Sequence, residues 1–520
     1  MYLALSCLAL LPIILIIIAL TVFKTPGHKA CGSALLLTAA LALVLWKMPL
    51  TQVLTSALEG FAAALWPIIL VIIAAIFTYN LSLKTGGMAV IKAMLTSVSA
   101  DRRILILLIG WCFGGFMEGM AGFGTAIAIP ASMLAGLGMH PLLACVVCML
   151  ANAFPTAFGS VGVPTVTLAT VTKLDVLPLS FITVIEMLPF MLLVPFLMLM
   201  AGNGQGVKAL KGVWGITLVS GLSFVLPEIL VAKFVGPELT VIIGSVVSLI
   251  CTTLLAKSRS GQVPAAYNMQ TAKPARETIA TETNPTMSAL TACFPFILIL
   301  FFLLLTSNLV PPVHNALAIF KSTLKISTAP QAGATSFAWL NTPGIIIFIA
   351  ALLGGLVQKA SLATMASTFT ATLKQLVNTI ITIMSVLAVA KIMTYSGMIS
   401  SLATLFVTLT GSSYPFVAPL IAAIGAFVTG SGTNTEVLLG SLQTEAAKAI
   451  NVSAYWLAAA NSIGAGIGKI LSPQCVATAI AAVSLEGQDS KLLRAVFPYA
   501  LVLLIIACLL VGLGASSAPF

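Results

Sequence analysis

Charged side chains inside long apolar runs are the residues of this chain that could do chemistry. Glu118 lies in FMEGMAGFG, Lys469 in GIGKILSP and Lys391 in SVLAVAKIMTYSG. A charge at the centre of a bilayer costs about 2.5–3.5 kcal/mol even on the permissive insertion scale, so each needs a reason. We predict that Glu118 and Lys391 take part in proton coupling. Lys469, beside Ser472 and Gln474, is positioned to neutralise a carboxylate substrate.

A structural explanation of the same charges stays open. Glu118 could cap a half-helix, and Lys469 could extend to the interface or pair with Glu118. Two further acidic residues, Glu186 and Glu228, are predicted to lie near the membrane interfaces. Glu59 precedes a glycine and a long apolar run, which fits a helix end as well as a site.

The composition places these charges in a membrane protein. The 520 residues include only 24 Lys and Arg and 13 Asp and Glu, so 7% are charged, against roughly a quarter in soluble chains. Hydrophobic residues make up 60%, and the mean hydropathy is +1.14. A soluble enzyme, a nucleic-acid-binding protein and a secreted scaffold are therefore excluded.

Metal and redox chemistry have little support in the sequence. The nine cysteines are scattered in apolar runs, and Cys145 and Cys148 form a CxxC within LLACVVCML. The three histidines, His28, His140 and His314, are isolated from one another. This pattern matches neither a disulfide framework nor a zinc or haem site. We predict no metal and no cofactor.

The apolar runs predict an all-α polytopic membrane protein with about twelve to fourteen transmembrane helices, since a span needs roughly 20 apolar residues. We expect residues 1–256 to form an amino-terminal half, residues 257–287 a polar cytoplasmic linker and residues 288–520 a carboxy-terminal half. The first run, 2–23, is expected to be a retained helix. The candidate spans are 2–23, 30–46, 60–81, 104–117, 141–154, 178–200, 213–235, 238–256, 288–306, 344–357, 374–396, 402–429, 450–468 and 492–514.

Basic loops set the expected orientation. Lys and Arg cluster at 24–29, 84–103, 202–211 and 257–287, and basic loops mark the cytoplasmic side. The net charge of +11 therefore reports membrane topology, and no nucleic-acid partner is expected. The amino terminus and the segment 308–343 are predicted to lie outside.

Two regions are apolar enough for the membrane yet too rich in Gly, Pro and polar residues to be plain helices. They are Gly110–Pro164 and Gly425–Pro473. Irregular backbone at membrane depth persists only where it is buried in protein or lines a watery cavity. Half-helix amino termini in such breaks present N–H groups to an anion. A pair of interrupted segments indicates the binding site of a secondary transporter.

The two regions share an internal pattern, which predicts two repeat-related halves with broken or re-entrant helices. The same Asn–Gly–Pro spacing occurs twice with an offset of 309 (461 − 152), at Asn152, Gly159 and Pro164 and at Asn461, Gly468 and Pro473. The alternative is a pair of glycine-rich packing helices, because small residues also mediate helix contacts in lipid. The predicted substrate-binding residues are Gly122, Gly124, Thr125, Asn152, Ser431, Thr433, Asn434, Asn461, Lys469, Ser472 and Gln474.

At these same residues the sequence resembles the bacterial lactate permease family. The resemblance rests on strings that follow one another over most of the chain: EGFAAALWPI (59–68), LLIGWCFGGFMEGMAGFGTAIAI (107–129), LAGLGMHPLLA (134–144), ANAFPTAFGSVGVP (151–164), VGPEL (235–239), WLNTPG (339–344), TGSGTNTEVLLGSLQ (429–443) and AANSIGAGIGKILSPQ (459–474). The resemblance implies a multi-pass symporter of the bacterial cytoplasmic membrane that imports L-lactate, and often D-lactate and glycolate, together with protons.

With that resemblance, the hypothesis is that a small 2-hydroxy-monocarboxylate binds between the two glycine-rich breaks. Its carboxylate would meet N–H groups at 431–434 and Lys469, and Asn152, Asn461 and Thr433 would bind its hydroxyl. Glu118 would carry the proton. Rocking and elevator-like movements both remain open, as does the oligomeric state.

Two other functions remain open from the residues. A Na⁺-coupled or di- or tricarboxylate carrier of related design could use the hydroxyls of Ser431, Thr433 and Thr435 to hold the ion. A membrane enzyme or proton-pumping subunit could use Lys391 and Glu118 in a proton channel. Such a subunit needs partner chains and a line of intramembrane charges, which the sequence lacks.

Overall fold

The computed structural model describes residues 2–516, apart from residues 22, 24, 123, 259–263, 265–266, 269–286, 308 and 486. Most of the predicted linker 257–287, and Lys24 of the first basic cluster, lie outside the described residues. The division of the chain at that linker therefore stays a prediction.

The described chain is helical almost throughout. In the first part the helices are α1 (Tyr2–Ala9), α2 (Leu11–Thr21), α3 (Gly27–Val44), α4 (Leu50–Ala63), α5 (Leu70–Lys84), α6 (Gly87–Thr96), α7 (Arg102–Leu105), α8 (Gly114–Met120), α9 (Thr125–Gly136), α10 (Pro141–Asn152), α11 (Gly159–Thr172), α12 (Val176–Gly202), α13 (Trp214–Phe234) and α14 (Pro237–Ser258). In the second part they are α15 (Ala289–Thr306), α16 (Pro311–Ala318), α17 (Pro343–Val357), α18 (Leu362–Ser396), α19 (Met398–Thr410), α20 (Tyr414–Thr429), α21 (Gly432–Ala449), α22 (Ala454–Leu471), α23 (Pro473–Ala482) and α24 (Asp489–Gly514). π-helical turns at Ala64–Ile69 and Ile106–Phe113 join α4 to α5 and α7 to α8.

The predicted fold class, an all-α multi-pass membrane protein with broken helices, is confirmed. Among the described residues, ten helical segments are long and apolar enough to cross a bilayer, and two bent helix pairs raise that number to twelve. The segment 308–343 departs from a plain loop, because it contains α16 and a short antiparallel hairpin of β1 (Lys321–Leu324) and β2 (Thr335–Ala338). Trp66 Nε1 donates to Ala338 O at 2.7 Å and fixes this hairpin on the α4–α5 junction.

Two helical hairpins are built on the glycine turns. Hairpin 1 (residues 102–136) folds α7–α8 back against α9, so that a Cβ at Gly114 would lie 3.7 Å from Ala126 O. Its tip includes Gly122 and Gly124, which have φ values of +57° and +89°. Such values favour glycine, which has no Cβ to collide with the carbonyl.

Hairpin 2 (residues 414–449) folds α20 against α21 in the same manner. Tyr414, at the start of α20, donates its hydroxyl to Gln443 Oε1 at 2.9 Å near the end of α21. Its tip is Gly430 and Ser431, and Gly430 has a φ of +66°. A non-glycine residue would be strained at that position.

The two hairpins enter from opposite ends of the molecule. Helix α12 has 27 residues and so is about 40 Å long. Met139, just beyond hairpin 1, packs at the Gly202 end of α12, where it would lie 3.1 Å from an added Cβ. Tyr455, just beyond hairpin 2, accepts a hydrogen bond from Asp175 N at the other end at 3.3 Å. We call these ends the Arg103 face and the Asp175 face.

A broken helix follows each hairpin. Broken helix 1 (α10–α11) bends by 58° and broken helix 2 (α22–α23) bends by 52°. In the first break, Ser160, Val161 and Gly162 all have positive φ, just before Pro164. In the second, Ser472 precedes Pro473, which begins α23. Pro473 begins α23, and Pro164 lies within α11 directly after its non-helical residues, so both of the prolines that the 309-residue offset aligns lie at an interruption.

A long helix pair, formed by α18 and the joined helices α4–α5, lies beside the two hairpins and the two broken helices. Helix α18 has 35 residues and packs along α4, α5 and α3. A Cβ at Gly60 of α4 would lie 2.6 Å from the Ala388 backbone, so the absence of a side chain allows the two helices to touch. Helices from both predicted halves therefore interleave, because α18 belongs to the second half and α4 to the first.

Candidate functional site

A cavity lies where both hairpin tips and both helix breaks meet. Hairpin 1 contributes Gly124, and hairpin 2 contributes the four residues from Gly430 to Thr433. Broken helix 1 contributes Thr156, Gly159 and Ser160, and broken helix 2 contributes Lys469, Gln474 and Thr478. The cavity volume is about 70 Å³. At roughly 10–15 Å³ for each water molecule, it has room for a small solute.

A buried ion pair forms one side of this cavity. Lys469 Nζ lies 3.0 Å from Glu118 Oε1, and the two side chains are 10% and 3% exposed. The partners are 351 residues apart in the sequence. Because a lone charge at this depth is costly, each partner permits the other to be buried in its charged form. The structural alternative considered from the sequence, pairing of Lys469 with Glu118, is therefore what the structure shows.

Broken helix 1 surrounds the Glu118 carboxylate with donors. Asn152 Nδ2 donates to Glu118 Oε2 at 2.8 Å, and Thr156 Oγ1 donates to Oε1 at 2.8 Å. Lys469 Nζ also donates to Thr156 Oγ1. A Cβ at Gly159 would lie 2.7 Å from Glu118 Oε1, so glycine leaves space for the carboxylate. Both oxygens of Glu118 are satisfied, and Lys469 alone among these contacts carries a positive charge.

Helix amino termini supply further positive potential. Ser431 caps α21 by accepting from Asn434 N at 3.3 Å, and the first intrahelical bond runs from Thr435 N to Ser431 O. The N–H groups of Gly432 and Thr433 precede that bond and lie at the cavity. Ser472 caps α23 in the same way by accepting from Cys475 N at 3.2 Å. Two helix amino termini and an ammonium group at one cavity suit an anion.

The thirteen predicted site residues fall into three groups. Six of them line the cavity: Glu118, Gly124, Ser431, Thr433, Lys469 and Gln474. Six others do not line it: Gly122, Thr125, Asn152, Asn434, Asn461 and Ser472. Thr125 Oγ1, for example, donates to Gly122 O at 2.7 Å within the tip of hairpin 1. The thirteenth, Lys391, is in a separate cluster.

The two asparagines differ from their expected role. Asn152 donates to Glu118, and Asn461 Nδ2 donates to Glu436 Oε2 at 2.7 Å. Neither amide lines the cavity, so their observed partners are carboxylates of the protein and not a substrate hydroxyl. Besides the ion pair, the hydroxyl and amide residues that do line the cavity are Thr156, Ser160, Ser431, Thr433, Gln474 and Thr478.

Lys391 lies outside the cavity. Its Nζ lies 2.7 Å from Glu59 Oε1, and Tyr395 donates its hydroxyl to the same oxygen at 2.8 Å. This cluster joins α4 to α18 in the long helix pair. Glu59 therefore has a partner from the distant α18, and the structure does not bring Lys391 into contact with Glu118.

Thr156 and Glu436 were not among the site residues predicted from the sequence. Thr156 is a hydroxyl in the middle of the first break, four residues after Asn152. Glu436 is a carboxyl within the second glycine-rich region, and it is 1% exposed. The criterion that selected Glu118, a charge inside a glycine-rich apolar segment, selects Glu436 equally well. Glu186 and Glu228, for which a position near the membrane interfaces stays a prediction, are each 1% exposed and lie on the packed helices α12 and α13.

The glycines of α22 show that packing and site formation are combined. A Cβ at Gly464 or Gly468 would collide with a backbone carbonyl of α20, that of Pro419 or Ala423. A Cβ at Gly466 would collide with Ala153 O in the break of broken helix 1. Glycines in this arrangement let helices approach closely in lipid. The packing explanation of the glycine pattern is thus correct for α22, alongside the broken helices.

We expect Gly468→Ala to destabilise the protein, because the new methyl group would overlap the Ala423 carbonyl. Overpacking of this kind costs about 1–3 kcal/mol. The measurement is the melting temperature of detergent-solubilised protein by size-exclusion recovery after heating. Gly32→Ala is the matched control, since nothing lies within 4 Å of that added Cβ. Equal melting temperatures for the two variants would contradict the close contact.

Across the part of the chain that the structure describes, no group of three or more His, Cys, Asp or Glu residues is placed so that it could hold a metal ion.

Known proteins are similar to this chain over nearly its whole length. A family model described as L-lactate permease matches residues 6–516. The L-lactate permease of Streptococcus iniae is 42% identical over 454 residues, covering 87% of this chain and 93% of that protein. The glycolate permease of Escherichia coli strain K12 is 33% identical over 528 residues, covering 96% and 93%. The crystal structure of the Alcanivorax borkumensis YdaH transporter has a TM-score of 0.52 at 15% identity, covering 94% of this chain and 98% of that chain, and this likeness is one of fold.

Proposed function

The chain belongs to the L-lactate permease family, a family of multi-pass transporters of the bacterial cytoplasmic membrane, and from this premise we propose that it imports L-lactate together with protons. The observation that supports this most strongly is the buried pair of Lys469 and Glu118 at the central cavity. The pair offers a cation to a substrate carboxylate and a carboxyl to a proton. We propose the central cavity as the substrate site.

The cavity suits a small hydroxy acid. Its volume of about 70 Å³ has room for roughly five water molecules, which is close to the number of heavy atoms in lactate. The carboxylate would bind Lys469 and the N–H groups of Gly432 and Thr433. The Thr433 and Gln474 side chains would bind the 2-hydroxyl group. A site built to hydrogen-bond a hydroxyl rejects analogues that lack it, because its own polar groups are then left unpaired.

Charge balance at Lys469 would couple lactate to the proton. When the cavity is empty, the Lys469 ammonium neutralises Glu118. If lactate bound to that state, two carboxylates would share one buried ammonium. A proton on Glu118 removes one negative charge and leaves Lys469 free to bind the lactate carboxylate. Lactate and proton therefore each favour the binding of the other, as reciprocal linkage requires.

The same balance would prevent a proton leak. With a proton on Glu118 and no lactate, Lys469 would be an uncompensated buried charge, which opposes movement across the membrane. The empty carrier returns with the Glu118–Lys469 pair intact. Only the fully loaded and the fully empty states are thus neutral at this pair.

The two hairpins suggest one gate for each side of the membrane. Hairpin 1 enters from the Arg103 face and hairpin 2 from the Asp175 face, and their tips meet at the cavity. Arg102, Arg103, Lys208 and Lys211 gather at the Arg103 face, where Arg103 Nη1 donates to Lys211 O at 2.8 Å. By the positive-inside rule we assign that face to the cytoplasm. Hairpin 2 would then open to admit lactate, and hairpin 1 would open to release it.

We propose D-lactate and glycolate as further substrates. The glycolate permease among the relatives supports glycolate. Glycolate lacks only the methyl group of lactate, and loss of one methyl contact typically costs about 1–3 kcal/mol of discrimination, so a single cavity can accept both.

The experiment that tests this function is uptake of radiolabelled L-lactate into proteoliposomes with an inward proton gradient and no sodium. We expect accumulation that a protonophore abolishes. D-lactate and glycolate should compete, and propionate, which lacks the hydroxyl, should compete much more weakly. Uptake that requires sodium in place of the gradient would instead support the Na⁺-coupled alternative, and the absence of uptake by inserted protein would contradict lactate transport.

A further inference from the structure

We propose that Glu436 carries a second proton with each lactate, so that every transport cycle imports one net positive charge. This inference rests on the proposed function. It adds a second proton site to the one at Glu118 and fixes the stoichiometry at two protons for each lactate.

Glu436 is buried without a positive partner. It lies in α21 one helical turn beyond Thr433, which lines the cavity, and it is 1% exposed. Asn461 Nδ2 donates to its carboxylate at 2.7 Å, and within the described residues it forms no ion pair. Neutral donors alone cannot compensate a full charge at this depth, where an unpaired ion costs several kcal/mol. A proton provides the missing charge.

The internal repeat shows what is absent around Glu436. Asn152 and Asn461 are equivalent under the 309-residue offset, and each donates to a buried carboxylate, Glu118 or Glu436. Under the same offset, Lys469 is equivalent to Ser160 (469 − 309). Lys469 neutralises Glu118. Ser160 carries no charge and donates to Ala121 O at 2.8 Å. The offset does not align the two glutamates themselves, since 436 − 309 is 127, an isoleucine. The two aligned asparagines nevertheless hold two carboxylates of which Glu118 has a cation beside it and Glu436 has none among the described residues.

Among the described residues, the helices packed against α21 supply no other cation for Glu436. The titratable side chains on the helices packed against α21 are Lys374, Lys391, Tyr395, Tyr414, Tyr455 and Lys469. Lys391 and Tyr395 bind Glu59, Tyr414 binds Gln443, and Lys469 binds Glu118. Lys374 and Tyr455 make neither an ion pair nor a hydrogen bond to Glu436. The hydroxyl of Ser462, next to Asn461, is buried without a hydrogen-bond partner and can exchange a hydrogen bond with a protonated carboxyl.

Glu436 also differs from the other buried carboxyls in its position. Glu186 and Glu228 lie on α12 and α13, and neither helix contributes a residue to the cavity. Glu436 is on α21, whose first turn lines the cavity. Under this proposal, movement of hairpin 2 changes the surroundings of Glu436 in each cycle, so that its proton is bound on one side and released on the other. The empty carrier then returns with Glu436 ionised, and a membrane potential that is negative inside drives this negative charge outward.

The net charge that crosses the membrane with each lactate tests the second proton. One lactate with one proton is electroneutral, and with two protons it carries a charge of +1. In proteoliposomes without a pH gradient, a potassium diffusion potential set with valinomycin should make wild-type protein accumulate lactate about tenfold for each 59 mV, inside negative. Glu436→Gln should abolish this dependence on voltage. Each unit of pH gradient should yield about 100-fold accumulation in wild type and about tenfold in the variant.

Two controls separate coupling from folding. Glu445→Gln changes an exposed carboxyl on the same helix, paired with Lys448, and should behave as wild type. Lactate counterflow involves no net proton movement, so a folded Glu436→Gln protein should retain it. The wild-type measurement decides the stoichiometry even if the variant does not fold.

Each remaining outcome has a definite meaning. Wild-type lactate uptake that a pH gradient drives but voltage does not would overturn the second proton and leave the proposed function in place. Unchanged voltage dependence in Glu436→Gln would also overturn it. Failure of wild-type protein to transport lactate at all would count against the proposed function itself.

Discussion

Lys469→Ala is expected to abolish lactate transport. We propose Lys469 as the cation that binds the substrate carboxylate, and losing one member of a buried charge pair typically costs about 2–5 kcal/mol of binding. That range corresponds to a loss of affinity between roughly 30-fold and several thousand-fold. The measurement is equilibrium binding of radiolabelled lactate to purified protein by scintillation proximity, together with uptake into proteoliposomes.

The Lys469 variant also loses stability, because Glu118 is left buried without its cation, at a cost of about 3–5 kcal/mol. The double variant Glu118→Gln/Lys469→Ala removes both charges and should recover much of this stability without recovering lactate binding. Lys448→Ala, on the exposed end of α21, is the matched control and should bind lactate normally. Normal binding by the double variant would show that Lys469 serves packing and not the substrate.

Glu118→Gln is expected to exchange lactate without accumulating it. Glutamine mimics the protonated carboxyl, so Lys469 remains free for lactate and the loaded carrier can still move. The empty carrier then holds an uncompensated Lys469 charge and cannot return. Lactate counterflow should therefore persist, while net uptake driven by a proton gradient should fall to the level of empty liposomes.

The pH response of the same variant gives a second readout. In wild type, lactate competes with ionised Glu118 for Lys469, so acid should favour binding and alkali should weaken it. Glu118→Gln has no proton to lose there, and its lactate affinity should depend less on pH than that of wild type. Glu445→Gln, the same substitution on an exposed carboxyl, should retain the wild-type response. A Glu118→Gln protein that still accumulates lactate would rule out Glu118 as the coupling residue.

The local sequence was sufficient to predict where the helices are broken. Gly122 and Gly124 in the first tip and Gly430 in the second have positive φ, which glycine adopts readily, and Pro164 and Pro473 cannot continue a preceding helix. These are properties of a residue and its immediate neighbours, so they can be read without a fold. Helix ends were less certain: α18 begins at Leu362, twelve residues before the predicted 374. The residues before 374 include polar ones such as Thr372, which accepts a hydrogen bond from Asn80 Nδ2 of α5 at 2.9 Å, so hydropathy alone does not assign them to a span.

The direction of each hairpin could not be read in this way. The sequence placed a glycine turn in each half but not the face from which it enters. That depends on how the segments that follow the two hairpins, at Met139 and at Tyr455, pack against the two ends of α12. Asp175 and Tyr455, which mark one of those ends, are 280 residues apart, and their contact exists only once the helices are assembled.

The sequence by itself determined the class of this protein, its family and several of the charges within its apolar segments, Glu118, Lys391 and Lys469 among them, although it did not single out Glu436. Composition sums over the chain, motifs occupy short strings, and a charged residue in an apolar run is conspicuous without any knowledge of its neighbours. Only the tertiary structure decided which charges meet. Lys469 pairs with Glu118 across 351 residues, Lys391 pairs with Glu59 across 332, and Glu436 has no positive partner among the described residues. Such pairings depend on the distance and direction between packed helices, and a linear pattern does not contain that information.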